Sequence, residues 1–127
     1  MANSQIFSAA LRISDTAVAR PALEAALGTT LARYEPARTG SLYYAQVDLP
    51  IEEEVWGAIA RWVKRLGPQL SKLRQERLIG STSLDLAASF VDGQMSLSVV
   101  VPSFAAEIIS SYGVDIAFSV YAVSDFE

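Results

Sequence analysis

At 127 residues, with 51% hydrophobic and 19% charged side chains, the chain has the size of one compact domain, residues 1–127, able to bury a real core. Ten Lys plus Arg against fourteen Asp plus Glu give a net charge of -4, opposite in sign to the footprint of a nucleic-acid binder. The absence of Cys and His removes disulfides, zinc-thiolate sites, thiol nucleophiles and every Ser-His or Cys-His arrangement, so no cofactor or metal site is expected.

From Gln5 to Ser14 the residues alternate, with Phe7, Ala9, Leu11 and Ile13 on one side and Ser8, Ala10, Arg12 and Ser14 on the other, which predicts a half-buried strand. Nothing before Arg12 is charged, so the basic segment of a signal peptide is missing and a cytoplasmic location is expected. Asp15 or Thr16 can cap a short helix containing Pro21, Leu23, Ala26 and Leu27, with Gly28 as its left-handed terminator. Residues 29–40 read as an irregular connection with a short strand at Leu31 to Tyr34. Ser41 to Leu49 alternates again, Tyr43, Ala45, Val47 and Leu49 opposing Leu42, Tyr44, Gln46 and Asp48.

Asp48-Leu-Pro50 then opens the longest helical pattern, in which Ile51, Val55, Ile59, Trp62 and Leu66 form one apolar stripe. Gly67-Pro68 should break or kink it, with a second helix carrying Leu70, Leu73 and Leu78. Leu84, Leu86, Ala88 and Phe90 alternate against Asp85, Ala87 and Ser89, and Asp92-Gly93 suits a tight hairpin whose returning strand holds Met95, Leu97, Val99 and Val101. Ser103 can cap a helix presenting Phe104, Ile108 and Tyr112 on one face and closed by Gly113. A last strand sets Val114, Ile116, Phe118 and Val120 against Asp115, Ala117, Ser119 and Tyr121, before an acidic tail at Asp125 to Glu127. The fold class is α+β: a single domain with a mostly antiparallel sheet of about five or six strands and three or four helices packed on it.

Few constellations carry chemistry. Glu52-Glu53-Glu54 offers three carboxylates, but consecutive helical residues diverge by about 100°, and acidic residues in a first turn are favoured by the helix dipole alone. Arg61, Lys64 and Arg65 sit toward the other end of that pattern, again as the dipole prefers. Glycines at 28, 40, 57, 67, 80, 93 and 113 are too far apart for a phosphate-cradling loop, and Ser71-Lys72 are neighbours that do not face each other on a helix. The longest uncharged stretch, Gly93 to Ala106, contains Pro102 and is too short to cross a bilayer, so no membrane partner is expected. Arg12, Arg38, Tyr43 and Tyr44 could line a polar cleft for an anionic ligand.

Trp56 and Trp62 lie about 120° apart on a helix, so both cannot be central in one stripe. Trp62 belongs to the stripe, which leaves Trp56 either as the candidate for a partner contact or as a second tryptophan packed in the core. The outer positions of the late strands, Ser83, Asp85, Ala87, Ser89, Ser96, Ser98, Asp115, Ala117 and Ser119, are small. Either another layer of the chain covers them or they form a flat platform on which a protein docks. Candidate partner-binding residues are therefore Glu52, Glu53, Trp56, Asp85, Ser96, Ser98 and Asp115.

The run LGTTLARYEPARTG after the first helix, followed by SLDLAASF, FAAEIISSYG and VDIAFSVY, resembles an uncharacterised bacterial family of small α+β domains of unknown function. The features carrying the resemblance are Leu27-Gly28, the Arg38 to Gly40 turn and the final helix-Gly-strand ending in Tyr121; a tryptophan expected after the turn is replaced by Tyr43 and Tyr44. Such families are often encoded beside toxins, so the resemblance implies an immunity role: a non-enzymatic protein that neutralises a cognate bacterial toxin by direct binding. The alternatives are a small-ligand-binding domain or an enzyme built from carboxylates, Tyr and Arg, and a structural homodimer formed through the serine-alanine sheet face or a free strand edge. Nucleic acid is not expected as a partner.

Overall fold

A computed structural model describes residues 6–38, 40–91 and 98–123. The elements run β1 (Ile6–Thr16), α1 (Arg20–Leu27), β2 (Arg33–Pro36), β3 (Tyr43–Leu49), α2 (Val55–Gln75), β4 (Thr82–Val91), α3 (Ser103–Ser111) and β5 (Val114–Val123). The chain is a single α+β domain, and the five strands among the described residues form one sheet in the order β2-β3-β1-β4-β5. The pairs β1·β3, β1·β4 and β2·β3 are antiparallel, whereas β4·β5 is parallel. The sheet is therefore mixed, because the connection through α3 carries the chain back before β5 begins, as a parallel pair requires.

That crossover corrects the hairpin reading. Asp92-Gly93 lies outside the described residues, but Ser98 to Val101 form no strand, and β1 and β5 flank β4 on its two sides. Val99 and Val101 instead pack against the core from a loop.

One apolar layer joins the helices to one face of the sheet. Ala9, Leu11 and Ile13 of β1, Ala45, Val47 and Leu49 of β3, and Leu84, Leu86 and Ala88 of β4 are all buried, as the alternation predicts. Phe7 departs from it: β1 advances two residues from Ile6 to Ser8 while β4 moves from Ala88 to Ala87, and this bulge sends Phe7 to the exposed side, 51% accessible. A second irregularity, three steps on β1 (Ile13 to Thr16) against two on β3, is accompanied by Asp15 at φ 51°, a conformation Asp tolerates better than most residues.

Helix α1 ends as expected at Gly28, φ 69°, whose N–H donates to Glu24 O. Its N-cap is Ala19 without a side-chain bond, so neither Asp15 nor Thr16 caps it; both belong to β1, and Thr16 Oγ1 accepts from Val18 N instead. Helix α2 opens later than the sequence suggested. Glu54 is its N-cap and accepts from Gly57 N at 2.5 Å, so Ile51, Glu52 and Glu53 precede the helix. It then runs unbroken for 21 residues through Pro68. An interior proline costs about 3 kcal/mol, but Leu66, Leu70 and Leu73 on the flanking turns are each buried, at about 1.5–3 kcal/mol apiece. Packing wins, and the described residues form three helices.

The α2 terminus is a Schellman turn, with Arg77 at φ 61°, Arg77 N donating to Arg74 O and Leu78 N to Leu73 O. Arg74 ties this end to its neighbours: Nη2 donates to Tyr112 O at 2.5 Å and Nη1 to Thr82 Oγ1 at 3.1 Å, satisfying a terminal carbonyl of α3. Helix α3 has Pro102, not Ser103, at its N-cap, and its buried residues are Ala105 and Ile109. The face it turns inward is one position on from the predicted one, so Phe104 is 47% exposed while Ile108 and Tyr112 are half-buried. Gly113 follows the helix at φ 71°.

Candidate functional site

All three helices contribute to the single core cluster on one side of the sheet; no described element covers the other side. That open face is built from the alternate positions of each strand: Ser8, Ala10, Arg12 and Ser14 of β1, Tyr44, Gln46 and Asp48 of β3, Ser83, Asp85, Ala87 and Ser89 of β4, and Asp115, Ala117, Ser119 and Tyr121 of β5. Small side chains dominate its β4–β5 half, so the surface is flat there.

Polar groups on this face hold one another in place. Arg12 Nη2 lies 2.9 Å from Asp85 Oδ2, and Ser119 Oγ donates to Asp85 Oδ1 at 3.0 Å, linking β1, β4 and β5. Along β3, Tyr44 Oη is 2.7 Å from Gln46 Oε1 and Gln46 Nε2 donates to Asp48 Oδ1 at 2.8 Å. Arg33 and Glu35 of β2 form an ion pair, and the Arg33 guanidinium lies 5.4 Å from the Tyr44 ring centre. Burial pushes the Tyr44 hydroxyl above its ordinary pKa, a shift opposed by Arg12 and Arg33 and reinforced by Glu35 and Asp85.

Two hollows indent the face. The larger, about 560 Å³, is lined by Phe7, Arg12, Gln46, Asp48, Asp85 and Tyr121, with the Phe7 and Tyr121 rings 5.9 Å apart at one margin. The other, about 430 Å³, is lined by Ser14, Asp15, Arg33, Glu35, Arg38 and Tyr44. The expected Arg-Tyr cleft is thus split: Arg38 and Tyr44 share the second hollow, and Arg12 lines the first. Tyr43 is on the opposite side of β3, stacked on Tyr34 at 4.8 Å and 11°. Tyr34 donates to Val18 O at 2.7 Å, and burial raises its pKa.

The predicted partner residues separate. Asp85 and Asp115 lie on the open face. Glu52 and Glu53 are exposed beside the start of α2, with Glu52 paired to Arg61 at 3.1 Å. Ser98 is exposed in a loop and Ser96 lies outside the described residues. For Trp56 the partner-contact reading is corrected and the core reading holds: it is 1% accessible, packed in the core, and its Nε1 has no hydrogen-bond partner among the described residues. The marginal tryptophan is Trp62, half-buried with the Arg65 guanidinium 4.7 Å from its ring centre. Arg12, Asp48, Phe7 and Tyr121 were not among the partner-binding candidates. Alternation alone marks Arg12 and Asp48 as outward, but only the bulge in β1 brings Phe7 beside Tyr121.

Among the described residues no group of three or more Asp or Glu side chains is placed to hold a metal ion, and no helix is long and apolar enough to cross a membrane. Fold and surface together define an α+β domain with one helix-covered and one open sheet face. Comparison with protein-family models, curated proteins and solved structures found no match.

Proposed function

We propose that the protein is a non-enzymatic binding domain whose open sheet face docks a cationic surface of a partner protein. The observation carrying this reading is the charge of that face: Asp15, Glu35, Asp48, Asp85 and Asp115 stand against Arg12, Arg33 and Arg38, on a surface that no described helix covers and that is flat over β4 and β5. In its most concrete form the partner is a bacterial toxin whose basic active-site surface the domain occludes, acting in the cytoplasm.

The test is co-expression with each product of the neighbouring genes that proves toxic when expressed alone, followed by affinity capture and a growth-rescue assay. Wild-type chain should capture the toxin and restore growth, and Asp48→Lys with Asp115→Lys should lose both while remaining folded by circular dichroism. Absence of capture and rescue by the wild type ends the proposal. A second reading, a small anionic ligand, draws on Arg33, Arg38 and Tyr44 around the 430 Å³ hollow; calorimetric titration with inorganic phosphate and simple dicarboxylates tests it.

A further inference from the structure

The two edges of the sheet differ in a way that points to a partner. β2, at one edge, is four residues long and carries Arg33, Glu35 and Pro36, the charges and proline that ordinarily block further strand pairing. β5, at the other, is ten residues long, contains no Pro, Gly or Lys, and bears one charged residue, Asp115. Among the described residues no strand pairs with its outer side, and an edge of this length presents a row of backbone donors and acceptors to an incoming strand. Large apolar side chains flank it: Phe118 is 42% exposed and Val120 55% exposed on the helix side, and Tyr121 is 54% exposed on the open side. Phe104 and Val100, within the first turn of the helix packed on β5 and just before it, are 47% and 65% exposed.

The sequence of β5 selects the occupant. Read outward from Phe118, Ala117 mirrors Ser119, Ile116 mirrors Val120 and Asp115 mirrors Tyr121. We infer that β5 pairs antiparallel with β5 of a second copy, with Phe118 on the two-fold axis. In that register two small residues oppose each other, two β-branched aliphatics oppose each other, and the Asp115 carboxylate meets a Tyr121 hydroxyl able to donate to it. The lone charge never faces its own copy. A two-fold axis normal to the sheet keeps all helices on one side, so the pairing makes one ten-stranded sheet. It buries the exposed Phe118 and Val120 between the helical layers and leaves both open faces side by side. The backbone pairing and the Phe118 contact use the edge and the helix side, so substitution at Phe118 leaves the docking face intact although Asp115 and Tyr121 belong to both surfaces.

Sedimentation of the full chain over micromolar to submillimolar concentration should show a mass rising to twice 13.7 kDa. Phe118→Lys, which places two like charges on the axis, should hold the mass at 13.7 kDa with an unchanged circular dichroism spectrum. The chain has no cysteine, so engineered thiols report the register without background. Phe118→Cys should cross-link to itself on oxidation. Ala117→Cys and Ser119→Cys should cross-link with each other in a mixture and only weakly alone, since a disulfide needs Cα atoms within about 7 Å. A wild-type mass of 13.7 kDa at every concentration overturns the inference, as does a dimer that persists in folded Phe118→Lys or thiols that link without regard to register. Phe118→Lys should still bind a partner docked on the open face, which separates the failure of either reading from that of the other.

Discussion

Gly67 in the middle of α2 lies against the ring of Tyr112 at the end of α3, so close that a Cβ on Gly67 would fall 2.4 Å from Tyr112 Cγ. The contact is where the two helices approach, and it explains a glycine in a long helix whose interior otherwise disfavours one. Gly67→Ala should therefore destabilise the domain by about 1–3 kcal/mol despite the higher helix propensity of alanine. Urea unfolding should show this as a lower midpoint, and adding Tyr112→Ala should cost less than the two separate losses combined.

Pro68, the next residue, is exposed and follows an exposed Lys64 whose carbonyl would otherwise receive its amide. Pro68→Ala restores that hydrogen bond with no side chain to repack. The propensity gain of about 3 kcal/mol is offset by about 1 kcal/mol of unfolded-state entropy, and we expect a net stabilisation of about 1–2 kcal/mol in thermal unfolding.

At the end of the same helix, Arg77 holds the left-handed position that glycine normally fills, and its side chain is exposed. Arg77→Gly relieves the Cβ crowding and should stabilise by about 0.5–1 kcal/mol. A midpoint that falls instead would show that the Arg77 side chain contributes more than its backbone costs.

Glu24 accepts from Leu31 N at 2.9 Å and from Arg20 Nε at 3.2 Å, and these hydrogen bonds, the backbone one foremost, hold its pKa below the ordinary carboxylate value. A carboxylate with a lower pKa folded than unfolded stabilises the fold above the unfolded value, and that contribution disappears as pH falls through the folded one. The wild-type urea midpoint should drop more steeply between neutral pH and pH 3 than that of Glu24→Gln. Parallel curves for the two proteins would reject the assignment.

Strand periodicity was the legible part of this sequence. Leu11, Ile13, Val47, Leu84 and Leu86 are buried where alternation places them. The errors came from features that local patterns do not encode. Asp92-Gly93 resembles a hairpin turn, yet β4 sits between β1 and β5, so pairing at long range decided the topology. The exchange of roles between the tryptophans has one cause. Stopping the helix at Gly67 omitted Leu70 and Leu73 and displaced the apparent centre of its apolar stripe. Measured from buried Leu70, Trp56 lies about 40° away and Trp62 about 80° away on the opposite side, which puts Trp56 in the core and Trp62 at its margin. Arg77 hid the end of α2 for a related reason, since no glycine marks it. For the site, outward alternation identified Asp85 and Asp115, whereas Phe7 required knowledge of an extra residue in β1.

The central place of β1 also bears on how the protein is made. Its two neighbours are β3 and β4, and Ile6 aligns with Ala88, so β1 leaves the ribosome before either neighbour and is flanked on both sides only once β4, which begins at Thr82, has been made. Until then its Leu11 and Ile13, buried in the finished domain, have no complete sheet to enter. Assembly that depends on such distant partners is slow compared with that of helical bundles of similar length. Chains halted before Thr82 should consequently collapse or be degraded, not accumulate as a stable half-domain.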